Sequence, residues 1–236
     1  MKITKHIPNT LTCLNVFSGC VACLMAIEGE IYLATLWIII GSIFDFLDGF
    51  AARLFKAFSS IGKDLDSLAD IVTFGMAPGM IVFRILKEAV PSIPSSSLDS
   101  NLSLIPFVAF IIPVLSALRL AKFNNDARQT DSFIGLPVPA HALFWSSLGC
   151  FLLPIVHEEP LSITIGVIVL AIISSLLLVS EIPMFSLKIK SIAWKGNEFR
   201  YILIACSVAF VAFLGVLGIA VAILVYIILS IFNKKS

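Results

Sequence analysis

The stretch FDFLDGFAARLFKAFSSIGKDLDSLAD, residues 44–70, carries Asp45, Asp48, Asp66 and Asp70 at or inside the ends of two apolar segments. A carboxylate near the bilayer centre costs at least ~2.5–3.5 kcal/mol, so four of them need a compensating partner. If the segments are helices, Asp45 and Asp48 stand at i, i+3 and Asp66 and Asp70 at i, i+4, and each pair shares one face. The connection between the segments is short enough for the pairs to approach. Carboxylates converging from two helices cannot all stay ionised at close range without a cation. A ligand set made only of oxygen favours a hard divalent ion such as Mg²⁺ or Mn²⁺. The stretch contains no His or Cys, which argues against zinc. Several carboxylates could hold two ions, an arrangement suited to in-line phosphoryl displacement.

The residues between the acids fit that chemistry. Gly49 and Ala52 lie on the same helix as the first pair and leave room beside it for a flat or bulky ligand. Arg53 is a candidate for a phosphate, or for an ion pair with a carboxylate. Gly62, four residues before Asp66, leaves the start of the following helix unobstructed. Asp64 falls off the Asp66–Asp70 face and reads as a solvated or helix-start acid. Two other uses of intramembrane acids stand beside this one: the proton or cation pathway of a cation-coupled transporter, and structural ion pairing, for which only Arg53 and loop lysines are near.

The elements that must position these residues are membrane helices. Of 236 residues, 59% are hydrophobic and 13% charged, with mean hydropathy +1.05, whereas soluble domains run nearer ~25% charged. The fold class expected is all-α, a polytopic membrane helical bundle. A net charge of +1 without a basic run gives no attraction to nucleic acid. The opening MKITKHIPNTLTCLN does not read as a signal peptide, since polar residues interrupt any apolar region. Cys13, Cys20, Cys23, Cys150 and Cys206 all lie in apolar segments and read as packing residues.

A span needs about 20 residues, which predicts crossings over 10–27, 31–55, 62–89, 102–121, 135–156 and 161–180. The tail 199–232 is too long for one crossing and is expected to cross twice, turning near Gly215–Gly218. Fourteen of the 16 Lys and Arg fall in the two terminal segments and on alternate connections, and the opposite loops carry Glu28, Glu30, Asp99, Glu158 and Glu159. The positive-inside rule then puts both termini in the cytoplasm and requires an even number of spans, so eight helices are expected. Arg84 and Lys87 are exceptions, with Glu88 available to offset one of them. The chain reads as one integral-membrane domain, 1–236, with a core over 7–181 and two extra C-terminal helices over 199–232. The four aspartates would lie just inside the cytoplasmic face of the cytoplasmic membrane.

The spacing D-x2-D-G-x2-A-R-x8-G-x3-D-x3-D is met at Asp45, Asp48, Gly49, Ala52, Arg53, Gly62, Asp66 and Asp70. It resembles the signature of the CDP-alcohol phosphotransferases without departure. IPNTLTCLN, DSLADIVTFGMAPG, LRLAKFN and FIGLPVPAHA, spanning about Ile7 to Ala142, resemble the phosphatidylserine synthase branch of that family. The resemblance implies attack by the L-serine hydroxyl on the lipid-side phosphorus of CDP-diacylglycerol, with phosphatidylserine and CMP as products. It implies that Asp45, Asp48, Asp66 and Asp70 hold metal ions and that Asp70 is also the general base. Gly49, Ala52 and Arg53 would line the CDP pocket, and a homodimer is implied as well. Glycerol phosphate or inositol phosphate as acceptor would want a dense basic pocket, while the basic residues here are spread along the loops. An archaeal-type lipid donor remains open.

Other positions carry two readings each. Asn9, near Pro8 and Thr12 at the start of the first helix, is a helix cap or a nucleotide contact, and Thr12 and Gly62 join it as CDP-binding candidates. Arg119 is a residue snorkelling to lipid headgroups, or it binds the serine carboxylate or a lipid phosphate. Lys122 and Arg128 are weaker candidates for that role, or membrane-surface charges. FIGLPVPAHA is expected to shape a loop over the site, and His141 within it either packs or touches substrate. His157 is assigned no role. Gly75 and Gly79 form a GxxxG that permits close helix contact within a protomer or between protomers.

Overall fold

The computed structural model describes residues 6–57, 59–93, 100–126, 133–184 and 197–232. α1 (Ile7–Glu28) begins with Pro8 in its first turn and ends at Gly29, whose φ of 88° is the left-handed conformation that closes a helix. α2 (Ile31–Leu54) starts at once and runs back along α1. The inward face of α1 is Pro8, Thr12, Asn15, Ser18, Gly19, Ala22 and Ala26. Its small residues let neighbouring backbones come close. A Cβ added at Gly19 or Gly41 would run into Thr73.

The third helical run is continuous from Ser60 to Ser92, longer than the 62–89 expected. It opens with α3 (Ser60–Asp70), capped by the Ser59 hydroxyl, which accepts from the Gly62 N–H at 3.0 Å. A π-helical segment, Ile71–Met76, follows directly after Asp70 and leads into α4 (Ala77–Ala89). Pro78 lacks an N–H and would crowd the carbonyl four residues back in a regular α-helix, and the wider π turn lies where that strain would fall. Ile81, Val82, Ile85 and Leu86 of α4 are fully buried, so this helix is the centre of the bundle.

A 3₁₀ stretch, Ser100–Phe110, leads into α5 (Ile111–Asn125). Gly75 and Gly79 pack against α5, where an added Cβ would lie 3.2 Å from Ser116 Cβ and 2.9 Å from Pro113 Cδ. Their GxxxG therefore serves contact within the protomer. α6 (Val138–Ile155) and α7 (Pro160–Val179) complete the core. β1 (Phe133–Ile134) pairs antiparallel with β2 (Pro183–Met184), tying the segment before α6 to the segment after α7.

Among the described residues, six helical runs are long and apolar enough to cross a membrane: Ile7–Glu28, Ile31–Leu54, Ser60–Ser92, Leu102–Asn125, Val138–Ile155 and Pro160–Val179. α8 (Glu198–Leu214, 17 residues) and α9 (Leu217–Phe232, 16 residues) are shorter and turn at Gly215, φ 58°. Large apolar side chains such as Phe17, Tyr32, Phe46, Ile165 and Phe213 cover the outside, as suits a lipid-facing surface.

Arg84 pairs with Glu88 and donates to the Ile27 carbonyl at 2.8 Å, so this exception to the charge pattern is locally neutralised and closes the end of α1. His141 is fully buried, with Nε2 3.0 Å from Ser174 Oγ and the Trp145 indole N–H donating to both. It packs. All five cysteines are free thiols.

Candidate active site

The last turns of α2 and the length of α3 bring the acids together from opposite sides. Carboxylate oxygens of Asp45, Asp48 and Asp66 lie within 4.8 Å of one another. Asp48 is buried, and Asp45 and Asp66 are half-buried. Asp70 stands one helical turn beyond Asp66, 9% exposed, outside this trio but within the electrostatic reach of all three. The four acids are thus a cluster of three with a deeper neighbour, not two equivalent pairs.

α1 supplies the supports. The Thr12 hydroxyl donates to Asp48 Oδ2 at 2.6 Å. Three residues on, the Asn15 side-chain amide donates to Asp70 Oδ1 at 3.4 Å. Thr73, in the π segment, donates its hydroxyl to the Asn15 carbonyl at 2.9 Å. Asn15 and Thr73 are fully buried, and Asn15 Oδ1 has no hydrogen-bond partner among the described residues. Sequence reasoning did not include these two. The available signal was an Asn inside an apolar span on the same face as Thr12, where a polar group needs a partner.

A cleft of about 210 Å³ opens beside the trio, lined by Pro8, Asn9 and Thr12 of α1, Asp48, Gly49 and Ala52 of α2, and Gly62 and Asp66 of α3. Of the CDP candidates, Asn9, Thr12, Gly49, Ala52 and Gly62 therefore meet around one space. Asn9 is not a helix cap: His6 holds that position, and Asn9 lies inside the first turn with its side chain toward Gly62. Among the described residues, a Cβ at Gly49 would meet only the Arg53 guanidinium, at 3.9 Å, whereas a Cβ at Gly62 would press on Ser59 Oγ at 3.0 Å and Asn9 Oδ1 at 3.2 Å. Arg53 is exposed and makes no ion pair among the described residues.

Asp70 faces a second cavity, about 190 Å³, with Arg119, Leu120 and Phe123 of α5 and Pro137, Val138 and Pro139 at the start of α6. Pro137, Val138 and Pro139 of the FIGLPVPAHA segment thus form a wall beside Asp70. Arg119 is 3% exposed, its guanidinium 5.5 Å from the centre of the Phe123 ring. Burial rules out the snorkelling reading. Arg119 also borders a third cavity, about 340 Å³, with Lys122, Asp126 and Glu181. The Lys122 ammonium donates to the Val179 carbonyl at 3.3 Å, closing the end of α7. Arg128 lies outside the described residues.

The donor set fits a hard cation. Three carboxylates converge, every ligand atom is oxygen, and among the described residues no Lys or Arg pairs with any of the four acids.

Comparison with known proteins agrees with this chemistry. The family model described as CDP-alcohol phosphatidyltransferase matches residues 5–212. A Helicobacter pylori protein named CDP-diacylglycerol–serine O-phosphatidyltransferase is 31% identical, over 97% of this chain and 95% of its own. A Bacillus subtilis protein of the same name is 35% identical over 57% of this chain and 70% of its own. A Methanothermobacter thermautotrophicus protein named archaetidylserine synthase is 33% identical over 62% of this chain and 59% of its own. The resemblance read from the aspartate spacing is borne out, and the chain belongs to the CDP-alcohol phosphatidyltransferase family.

Proposed function

We propose that this chain transfers the phosphatidyl group of CDP-diacylglycerol to the hydroxyl of L-serine, giving phosphatidylserine and CMP. The observation that carries the proposal is the convergence of Asp45, Asp48 and Asp66 with Asp70 beside them. It gains weight from a relative named for this reaction that aligns along 97% of the chain.

The cleft between α1, α2 and α3 takes the cytidine diphosphate. Gly49 and Ala52 leave space for it, Asn9 and Thr12 offer polar contacts, and Gly62 keeps the rim open. Arg53 reaches over Gly49 to a phosphate, a contact for which a guanidinium is suited. Mg²⁺ or Mn²⁺, two ions held by Asp45, Asp48, Asp66 and Asp70, would neutralise the pyrophosphate and the charge on departing CMP. Asp70, apart from the trio, accepts the proton of the serine hydroxyl. As that oxygen bonds to the lipid-side phosphorus, the bond from this phosphorus to the bridging oxygen breaks, and CMP leaves with the oxygen. Arg119 holds the serine carboxylate or the lipid phosphate, with Lys122 beside the same chamber and Arg128, by its place in the sequence, as weaker candidates for that role.

In this reading the chain has eight spans, with α8 and α9 as the last two, and both termini in the cytoplasm. The alternation of basic and acidic loops supports that topology. It puts the site at the cytoplasmic face of the cytoplasmic membrane, where serine and the nucleotide are found, and the working unit is a homodimer.

The test is CMP release by purified protein in detergent, given CDP-diacylglycerol, Mn²⁺ or Mg²⁺, and serine, glycerol phosphate or inositol phosphate in separate reactions. Serine-dependent release is expected. Silence with every alcohol would overturn the enzyme reading, and release with inositol phosphate but not serine would overturn the acceptor. The relative named archaetidylserine synthase favours a second reading, the same transfer from an archaeal-type lipid donor. Parallel reactions with the two donors separate them.

A further inference from the structure

Between α6 and the α8–α9 hairpin runs a cavity of about 440 Å³ with almost wholly apolar walls. On α8 its lining residues are Leu203, Ser207 and Val211, at i, i+4 and i+8. On α9, Ile219, Ala222 and Tyr226 recur at i, i+3 and i+7. Each set is one helix face, so the cavity is a slot drawn out along the helix axes for about 12 Å at ~1.5 Å per residue. That direction and length match a lipid tail in a leaflet whose apolar depth is ~15 Å.

The two ends of the slot differ. At one end Pro137 and Pro139 are shared with the cavity that holds Asp70 and Arg119. Tyr226 at this end is an electrostatic neighbour of Arg119. At the other end Val211 is exposed to the surroundings of the bundle. A chamber with a guanidinium and a carboxylate therefore adjoins, across two prolines, an apolar slot that leads outward. The family match ends at residue 212, before α9 begins.

We propose that this slot holds one acyl chain of CDP-diacylglycerol and that the α8–α9 hairpin is a tail-binding element for the donor. The proposal rests on the phosphatidyl-transfer reading above. Arg119 at the neck complements the donor's phosphates, and the slot accepts only apolar chain. Tails gain little hydrophobic free energy by leaving bilayer for protein. The slot therefore acts by packing and direction, holding the diacylglycerol side so that its phosphorus faces Asp70.

Ser207→Phe and Ala140→Phe narrow the slot from opposite walls. The Ser207 hydroxyl donates to the Leu203 carbonyl of its own helix at 2.7 Å, and Phe there strands no other group. With a dioleoyl donor, kcat/KM is expected to fall ~10-fold in each variant, while a dihexanoyl donor, whose chains end near the neck, turns over as in wild type. The short-chain rate also reports that the variants are folded. Equal losses with both donors, or no loss with either, would overturn the proposal. Absence of serine-dependent CMP release by the wild type would instead be a failure of the reaction reading. A donor carrying a diazirine at its chain end should label peptides from 203–226. Equal labelling by phosphatidylcholine bearing the same group would assign the slot to bulk lipid and overturn the proposal. Conversion of a dimer to a monomer by Ser207→Phe would assign it to a second copy of the chain, with the same consequence.

Discussion

The Thr12 hydroxyl donates a 2.6 Å hydrogen bond to Asp48 Oδ2, joining α1 to the acidic trio across 36 positions of sequence. The same hydroxyl lies 3.0 Å from the Pro8 carbonyl, but it has one proton, and the shorter, charge-assisted contact is the stronger. A hydrogen bond to a charged group contributes about 1.5–3 kcal/mol. Thr12→Val keeps the shape and removes the donor. It should lower turnover by ~10-fold or more and raise the Mn²⁺ concentration needed for half-maximal CMP release. Thr12→Ser should stay near wild type in the same titration.

Asn15 and Thr73 hold Asp70 in a comparable way, at one remove from the cleft. Thr73→Val is close to isosteric and deletes the hydroxyl that holds the Asn15 carbonyl. We expect kcat to fall ~10-fold with the donor KM unchanged in Thr73→Val and Asn15→Leu, and Thr73→Ser to recover most of the rate. A rise in donor KM without loss of kcat would show that these residues shape the cleft instead of the base.

Asp70→Asn keeps the volume and the Asn15 contact but cannot take a proton. Turnover should vanish while CDP-diacylglycerol binding, followed by equilibrium titration, partly survives. Near-normal turnover would remove Asp70 from the base role.

Arg119 is enclosed by α5 and the start of α6, and an ammonium there cannot reproduce the planar fork of a guanidinium. Arg119→Lys should raise one KM by ~10-fold. Steady-state kinetics that vary serine and donor separately identify the ligand: serine KM for a carboxylate contact, donor KM for a lipid phosphate.

Gly79 faces Pro113, and a Cβ there would come within 2.9 Å of Pro113 Cδ. Gly79→Leu should destabilise the bundle by about 1–3 kcal/mol through overpacking, seen as a lower thermal midpoint in detergent. A substitution at Gly166, where an added Cβ meets nothing within 4 Å among the described residues, should leave the midpoint unchanged.

Much of the site was legible in the chain because its information is local. The i, i+3 and i, i+4 spacings put Asp45 with Asp48 and Asp66 with Asp70 through helix periodicity alone. The short Leu54–Ser60 connection then leaves α2 and α3 no choice but to meet at one end of the bundle. Gly49, Ala52 and Gly62 ride on those same helices, and the apolar runs announce six spans by length. The tail's turn at Gly215 was visible as a glycine-bearing break in a run too long for one crossing.

Contacts between elements far apart in sequence were not legible. Spacing treated the four acids as two equal pairs, whereas the rotation of α3 against α2 gathers three and leaves Asp70 facing α1 and α5. Arg119 had the same sequence neighbours whether it faced lipid or the interior, and only the packing of α5 against the start of α6 turns it inward. Asn15 became part of the site because Gly19 and Gly41 let α1, α2 and the π segment approach within contact of Thr73. Helix periodicity sets which residues share a face. Which neighbour that face meets, and at what distance, depends on steric fit among helices that the linear order does not encode.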